Sequence, residues 1–172
     1  GPPTATDTVI VKNNANLTVN VANAVCQTIQ VGSNTAPSGN DGTLTFNSAS
    51  QLTVSGAVTF GDASRAGSII MTNGGTLIAQ SVVVTGINTW TPGTGTVVLT
   101  ATNTFPNNTN FDTFNNLTIN GGTTTLSRGT TVNGTLTVAL GATIANGGDT
   151  LTGAGNFVMN GTLSGTGNTT LS

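Results

Sequence analysis

The sequence predicts an all-β chain, wound as a right-handed parallel β-solenoid of about seven three-strand coils. Three observations predict it. Between Asn116 and Ser172 one short phrase recurs about every six or seven residues: apolar, Thr, apolar, then Asn-Gly or Gly, the length of a strand plus a tight corner. Every third phrase returns to an equivalent place: Thr118, Thr137 and Val158 lie 19 and 21 residues apart, Thr125, Thr143 and Thr162 lie 18 and 19 apart, and Thr131, Thr150 and Thr170 lie 19 and 20 apart. Helix formers are scarce, because Thr, Asn and Gly dominate and the 172 residues carry only five acids, all Asp, and three cations, Lys12, Arg65 and Arg128.

Read from the N-terminus, the first coil takes strands over 8–11, 17–21 and 27–31. The second takes 43–46, 52–54 and 57–60, and the third 68–71, 76–79 and 82–84. Their register holds with longer corners, since Thr45 to Ile70 and Thr53 to Ile78 are each 25 residues and Thr59 to Val83 is 24. The fourth coil takes 96–99 and 102–105, with its third strand drawn from the irregular stretch Asn110 to Phe114. The remaining coils are the clean repeats. The reading is one domain over 1–172, with longer, looser coils over 1–115 and regular coils of 19–20 residues over 116–172.

Alternation within each strand turns Val9 and Val11, Leu44 and Phe46, Leu52 and Val54, Val97 and Leu99, Leu117 and Ile119, and Leu136 and Val138 inward. Leu151 joins them. Seven such coils, with parallel strands about 4.8 Å apart, make a rod about 34 Å long in which each coil is buried only by its neighbours. Asn-Gly pairs at 120–121, 133–134, 146–147 and 160–161 supply corner residues that tolerate positive φ. The Pro-bearing stretches Thr35 to Asp41 and Phe105 to Asn110 are expected to protrude. Trp90 is expected at a long corner, covering the core where coil length changes.

The inventory excludes more functions than it proposes. There is no His to serve as general base or metal ligand, so Ser-His-Asp and Cys-His catalysis are excluded, and no zinc set exists. The five Asp do not recur with the coil period, and Asp7, Asp41, Asp62 and Asp149 sit at turns, so paired-carboxylate hydrolysis is not expected. Gly147-Gly148-Asp149 is a single echo of an acidic calcium turn. The expectation is therefore a non-enzyme with no cofactor and no metal. Three scattered cations cannot follow a phosphate backbone, which argues against nucleic acid. Cys26, the one cysteine, has no intrachain partner and reads as a small core hydrophobe between Val25 and Ile29. No run of about 18 apolar residues is present to cross a membrane. The first residues lack the basic and apolar regions of a signal peptide.

Two surfaces remain as candidates. Aligned coil by coil, the outward residue of the second strand reads Thr18, Thr53, Ile78, Thr104, Thr125, Thr143 and Thr162, a nearly unbroken Thr column suited to an ice- or carbohydrate-binding face. β-Branched residues also stack outward on parallel strands for packing reasons alone. The second candidate is the pair of ends. Neither carries a polar cap, so the first coil, through Val9, Val11, Leu17 and Val19, is expected to meet the last, through Phe157, Leu163 and Leu171, of a neighbouring copy or of further repeats.

The phrases from Phe114 to Leu126 (FNNLTINGGTTTL) and from Gly93 to Thr100 (GTGTVVLT) resemble repeats of large secreted bacterial surface proteins, the adhesin-like and autotransporter-like right-handed parallel β-helices. That resemblance spans most of the chain and implies an extracellular, cell-surface, structural or adhesive protein without catalytic residues. Partners on that reading are the chain itself, further repeats, or surface glycans. No site residue of that group carries over, and the shortage of acidic turns departs from many of its calcium-binding members.

Overall fold

In a computed structural model, residues 1–33, 41–62, 64–86 and 88–172 are described, and among them there are 21 strands and no helix. The strands wind as a parallel β-solenoid with three walls. The first coil is β1 (Thr8–Val11), β2 (Ala15–Val19) and β3 (Ala24–Cys26), one strand per wall. The second is β4 (Thr28–Val31), β5 (Gly42–Phe46) and the first half of β6 (Gln51–Phe60). The second half of β6 opens the third coil, which continues through β7 (Gly67–Ile70) into the first half of β8 (Thr76–Val84). The rest of β8, β9 (Asn88–Thr91) and β10 (Thr96–Leu99) complete the fourth.

The fifth coil is β11 (Asn103–Thr104), β12 (Thr113–Phe114) and β13 (Asn116–Ile119). The sixth is β14 (Thr123–Thr125), β15 (Thr130–Val132) and β16 (Leu136–Val138). The seventh is β17 (Thr143–Ala145), β18 (Leu151–Gly153) and β19 (Phe157–Met159), and β20 (Thr162–Ser164) and β21 (Thr169–Leu171) begin an eighth. Every ladder is parallel.

The third wall is continuous from end to end, in the order β3, β6, β8, β10, β13, β16, β19. The other two walls are interrupted between the fourth and fifth coils. On the second wall the ladder β2-β5-β7-β9 ends and β12-β15-β18-β21 begins; on the first, β11-β14-β17-β20 starts a new ladder beside β8. Aromatic rings fill that break. Phe111 packs edge-on at 5.0–5.9 Å from Phe60, Trp90, Phe105 and Phe114. The Trp90 indole N–H donates to the Thr113 carbonyl at 2.6 Å, and the Asn110 amide donates to the Asn88 carbonyl at 3.1 Å, so side chains bridge where the backbone ladder does not.

The inward residues form one continuous core, with Leu44, Phe46, Leu99, Leu117, Ile119, Val138 and Leu151 fully buried. Cys26 belongs to it, as expected. Two strands were not legible as strands, and both shift the coil phase. Ala24–Cys26 forms the third strand of the first coil, so Thr28–Val31, expected as that third strand, opens the second coil directly above β1. Asn88–Thr91, expected as a corner, is a second-wall strand that brings Trp90 opposite Ile69. Trp90 nonetheless covers the core at the change of coil length. The expected strand 17–21 runs instead over Ala15–Val19, leaving Val21 exposed. The irregular stretch Asn110–Phe114 supplies the expected third strand after 96–99 and 102–105, though only over Thr113–Phe114, which pairs with β15 on the second wall.

The Asn-Gly corners work differently from the expectation. Of their four glycines only Gly147 takes positive φ, at 55°. At Gly161 a Cβ would strike the Ala139 and Ala142 carbonyls, so glycine is required there because the coils approach closely. The stretch Thr35 to Asp41 lies, except for Asp41, outside the described residues. In the other Pro-bearing stretch Phe105 is buried, and only the part beyond it reaches the surface.

Candidate functional site

Outward rows follow from the register. On the third wall the row is Val25, Thr53, Ile78, Val98, Thr118, Thr137, Val158. On the first wall one row is Thr8, Thr28, Ala57, Ser81 and its neighbour is Ile10, Gln30, Thr59, Val83. The second wall is the most hydroxyl-rich. Its strands β2, β5, β7 and β9 carry two parallel rows, Asn16-Thr43-Ser68-Thr89 and Thr18-Thr45-Ile70-Thr91. A hydrogen bond from the Thr45 hydroxyl to the Asn16 side-chain oxygen, 2.9 Å, ties the rows together.

This corrects the expected Thr column. Thr18 lies on the second wall, Thr53 on the third, and Thr104, Thr125, Thr143 and Thr162 on the ladder β11-β14-β17-β20. Even within that ladder the four are not one row, because Thr104 registers with Thr125, Thr125 with Ala145, and Thr143 with Thr123 and Thr162. The cause is the pair of missed strands: each adds a wall position, so residues aligned by repeat count fall on different walls. Asn88–Thr91 carried the signal in its own alternation, with Asn88 and Trp90 inward and Thr89 and Thr91 outward.

The expected end residues do occupy the two ends. Val9, Val11, Leu17 and Val19 lie in the first coil, and Phe157, Leu163 and Leu171 lie on the last strand of each wall. Val11 and Val19 are covered by the second coil, whereas Leu17, Leu163 and Leu171 are about 40% exposed although their strands aim them at the core axis. Among the described residues, exposed large apolar side chains gather at these ends. Ile10, Leu17, Val21 and Val25 are in the first coil, Val158, Leu163 and Leu171 are on the last three strands, and only Val83 and Leu140 lie between. The first coil opens on an apolar hollow of about 550 Å³ lined by Pro2, Pro3, Leu17, Val25, Cys26 and Leu52.

The charged groups are dispersed and locally engaged. The Asp7 carboxylate accepts from both the Thr4 amide and the Thr4 hydroxyl, at 2.7 and 2.8 Å, which holds it below the ordinary carboxylate range. Asp41 accepts from the Ala66 amide at 2.8 Å, and Asp62 from the Ser64 and Arg65 amides at 2.9 and 3.0 Å. Asp112 pairs with Arg128 at 3.3 Å. Three of the five carboxylates therefore hold turns, and a fourth is in an ion pair. Among the described residues no three His, Cys, Asp or Glu side chains converge on a point where a metal could sit. Burial pushes the Cys26 thiol up to about 11, so it is a neutral thiol at physiological pH. Among the described residues no helix is long and apolar enough to cross a membrane.

No family model, curated protein or solved structure matches the chain, so what places it among known architectures is the parallel β-solenoid itself.

Proposed function

We propose that the chain is a non-enzymatic structural rod of the extracellular surface, a solenoid segment of an adhesin or the subunit of a filament. The observation that carries this reading is the use made of its charges. Four of the five carboxylates are occupied in holding turns or an ion pair, Asp41 and Asp62 on adjacent amides of one corner, and the walls present Thr, Ser, Asn and β-branched residues with almost no charge. Such walls stack coil upon coil, and the acids near them are engaged in holding backbone amides or an arginine. The resemblance of FNNLTINGGTTTL to repeats of secreted surface proteins supports the same location.

Immunogold labelling of intact source cells with antibodies to the folded rod tests this reading. Label is expected at the surface, and label confined to the cell interior would overturn it. A panel of polysaccharides should yield no turnover, and activity abolished by Asp41→Asn or Asp149→Asn would overturn the non-enzymatic part.

A second reading is favoured by the paired rows of the second wall. Their residues repeat about 4.8 Å along the rod and about 6.6 Å across it, a regular array of methyls and hydroxyls that could engage ice or a polysaccharide chain. Thermal hysteresis or glycan-array binding, lost in Thr45→Tyr, discriminates it from the first.

A further inference from the structure

We infer that Asn120 is a site of spontaneous covalent modification, losing ammonia through a cyclic imide with Gly121 to become aspartate or isoaspartate, while the fold holds back the other four Asn-Gly pairs. This goes beyond the structural-rod reading and does not depend on it.

An Asn followed by Gly is well suited to this chemistry, because glycine puts no side chain in the way of its own backbone nitrogen. The Gly nitrogen gives up its proton to solvent base and attacks the Asn Cγ. A C–N bond forms, the Cγ–Nδ2 bond breaks, and the side-chain amide leaves as ammonia with a proton taken from solvent. Water then opens the ring. Attack at Cγ gives aspartate; attack at the backbone carbonyl gives isoaspartate, in which the main chain runs through the former side chain. Water is the only co-reactant. Two local conditions decide the rate: the attacking N–H has to be unengaged, and the side-chain amide has to be open to solvent.

The chain has five such pairs, at 73–74, 120–121, 133–134, 146–147 and 160–161. In three of them the nucleophile is tied up. The Gly74 N–H donates to the Met71 carbonyl at 3.0 Å, the Gly134 N–H to the Asn115 carbonyl at 2.8 Å, and the Gly161 N–H to the Val138 carbonyl at 3.0 Å. In a fourth the leaving group is tied up. Asn146 is 2% exposed, and its Nδ2 donates to the Gly167 carbonyl at 2.9 Å and to the Thr169 hydroxyl at 3.0 Å.

Asn120-Gly121 alone meets both conditions. The Asn120 side chain is exposed, and among the described residues neither that side chain nor the Gly121 N–H has a hydrogen-bond partner. The Asn120 main chain is anchored, its N–H donating to the Leu99 carbonyl at 2.7 Å, so the residue is held in place while its side chain is not. Packing also keeps the second member of the pair. A Cβ at position 121 would come within 2.6 Å of the Thr100 carbonyl oxygen one coil below, so the close approach of the coils requires glycine there. The corner joins β13 of the fifth coil to β14 of the sixth. Its modification puts a carboxylate on a wall with almost no charge, and isoaspartate adds one main-chain carbon to a tight turn.

Peptide mapping by mass spectrometry of the folded chain, aged in warm, mildly alkaline buffer beside a sample aged in denaturant, tests the inference. In the folded chain Asn120 should react about fivefold or more ahead of Asn73, Asn133, Asn146 and Asn160, the factor that one net hydrogen bond corresponds to. In denaturant the five rates should converge, since all five pairs share the same following residue. Aspartate and isoaspartate should appear together at position 120, which marks the imide route rather than direct hydrolysis of the amide. Asn120→Gln, whose longer side chain has to close a larger ring, should remove the leading acidic species on ion exchange. An intact Asn120 in the aged folded chain, a faster reaction at any of the other four pairs, the same rank order with and without denaturant, or aspartate alone at position 120 would overturn the inference.

Discussion

Leu117 and Leu136 lie directly opposite each other across the β13-β16 ladder, 0% and 1% exposed, 19 residues apart in the chain and one coil apart in space. Leu136 is in turn opposite Phe157, so it is packed from above and below. Leu136→Ala should cost about 2–5 kcal/mol through lost contacts and a cavity. Leu136→Asp should cost more, because a carboxylate there has no partner. Chemical denaturation checks both, and an unchanged midpoint for Leu136→Asp would contradict the stacking.

Trp90 is the single tryptophan, 9% exposed, and its indole N–H holds the Thr113 carbonyl across the interrupted second wall. Native emission should be blue-shifted and should move red on unfolding. Trp90→Phe keeps most of the ring contacts but orphans that carbonyl, at a cost of about 1–3 kcal/mol. Trp90→Ala should cost about 3–5 kcal/mol. Both are read from denaturation midpoints.

Cys26 should be silent toward thiol reagents at neutral pH in the folded chain and react fully once unfolded, since it is 1% exposed and its thiol is pushed up to about 11. The sign of its pH dependence follows from that shift. The unfolded thiol ionises near 9, the folded one near 11, so the contribution is fully present below pH 9 and is lost as pH rises from 9 to 11. It amounts to roughly 2–3 kcal/mol at most. Cys26→Ala should remove this alkaline decline, measured as stability against pH.

The Asp112–Arg128 pair should matter little. Both side chains are about a quarter exposed, so Asp112→Asn should change stability by less than about 1 kcal/mol, and by less still in high salt. A large loss would show that the corner between β11 and β12 depends on the charge itself.

The fold was legible because period-2 burial and the coil repeat constrain each other: a strand such as Leu117-Thr118-Ile119 can satisfy both in one register only. Coil phase was harder to read. In the first three coils the chain turns between the third and first walls within one or two residues, so β6 runs on from Gln51 to Phe60 with only a register shift between Val54 and Ala57 to mark the bend. β3 and β4 are likewise separated by Gln27 alone. Of these early corners only the bend in β6 carries a Gly, Gly56, whereas Asn88-Thr-Trp-Thr91, flanked by turn residues and ending before Pro92, reads as a corner although it alternates as a strand. The paired hydroxyl rows were hidden for the same reason, since they appear only once Thr43, Ser68 and Thr89 are assigned to one wall. The apolar ends needed no phase. Their position in the chain was enough.

The interruption between the fourth and fifth coils has a mechanical consequence. Under tension along the rod, a junction with three ladders shares the load among three rows of backbone hydrogen bonds. Here only β10-β13 is continuous, and the remainder falls on interlocked rings and two side-chain bridges. Ring contacts carry no directional bond along the rod and give way before backbone ladders do, so this joint is the compliant point of an otherwise stiff rod, the place where it would flex or part first when pulled.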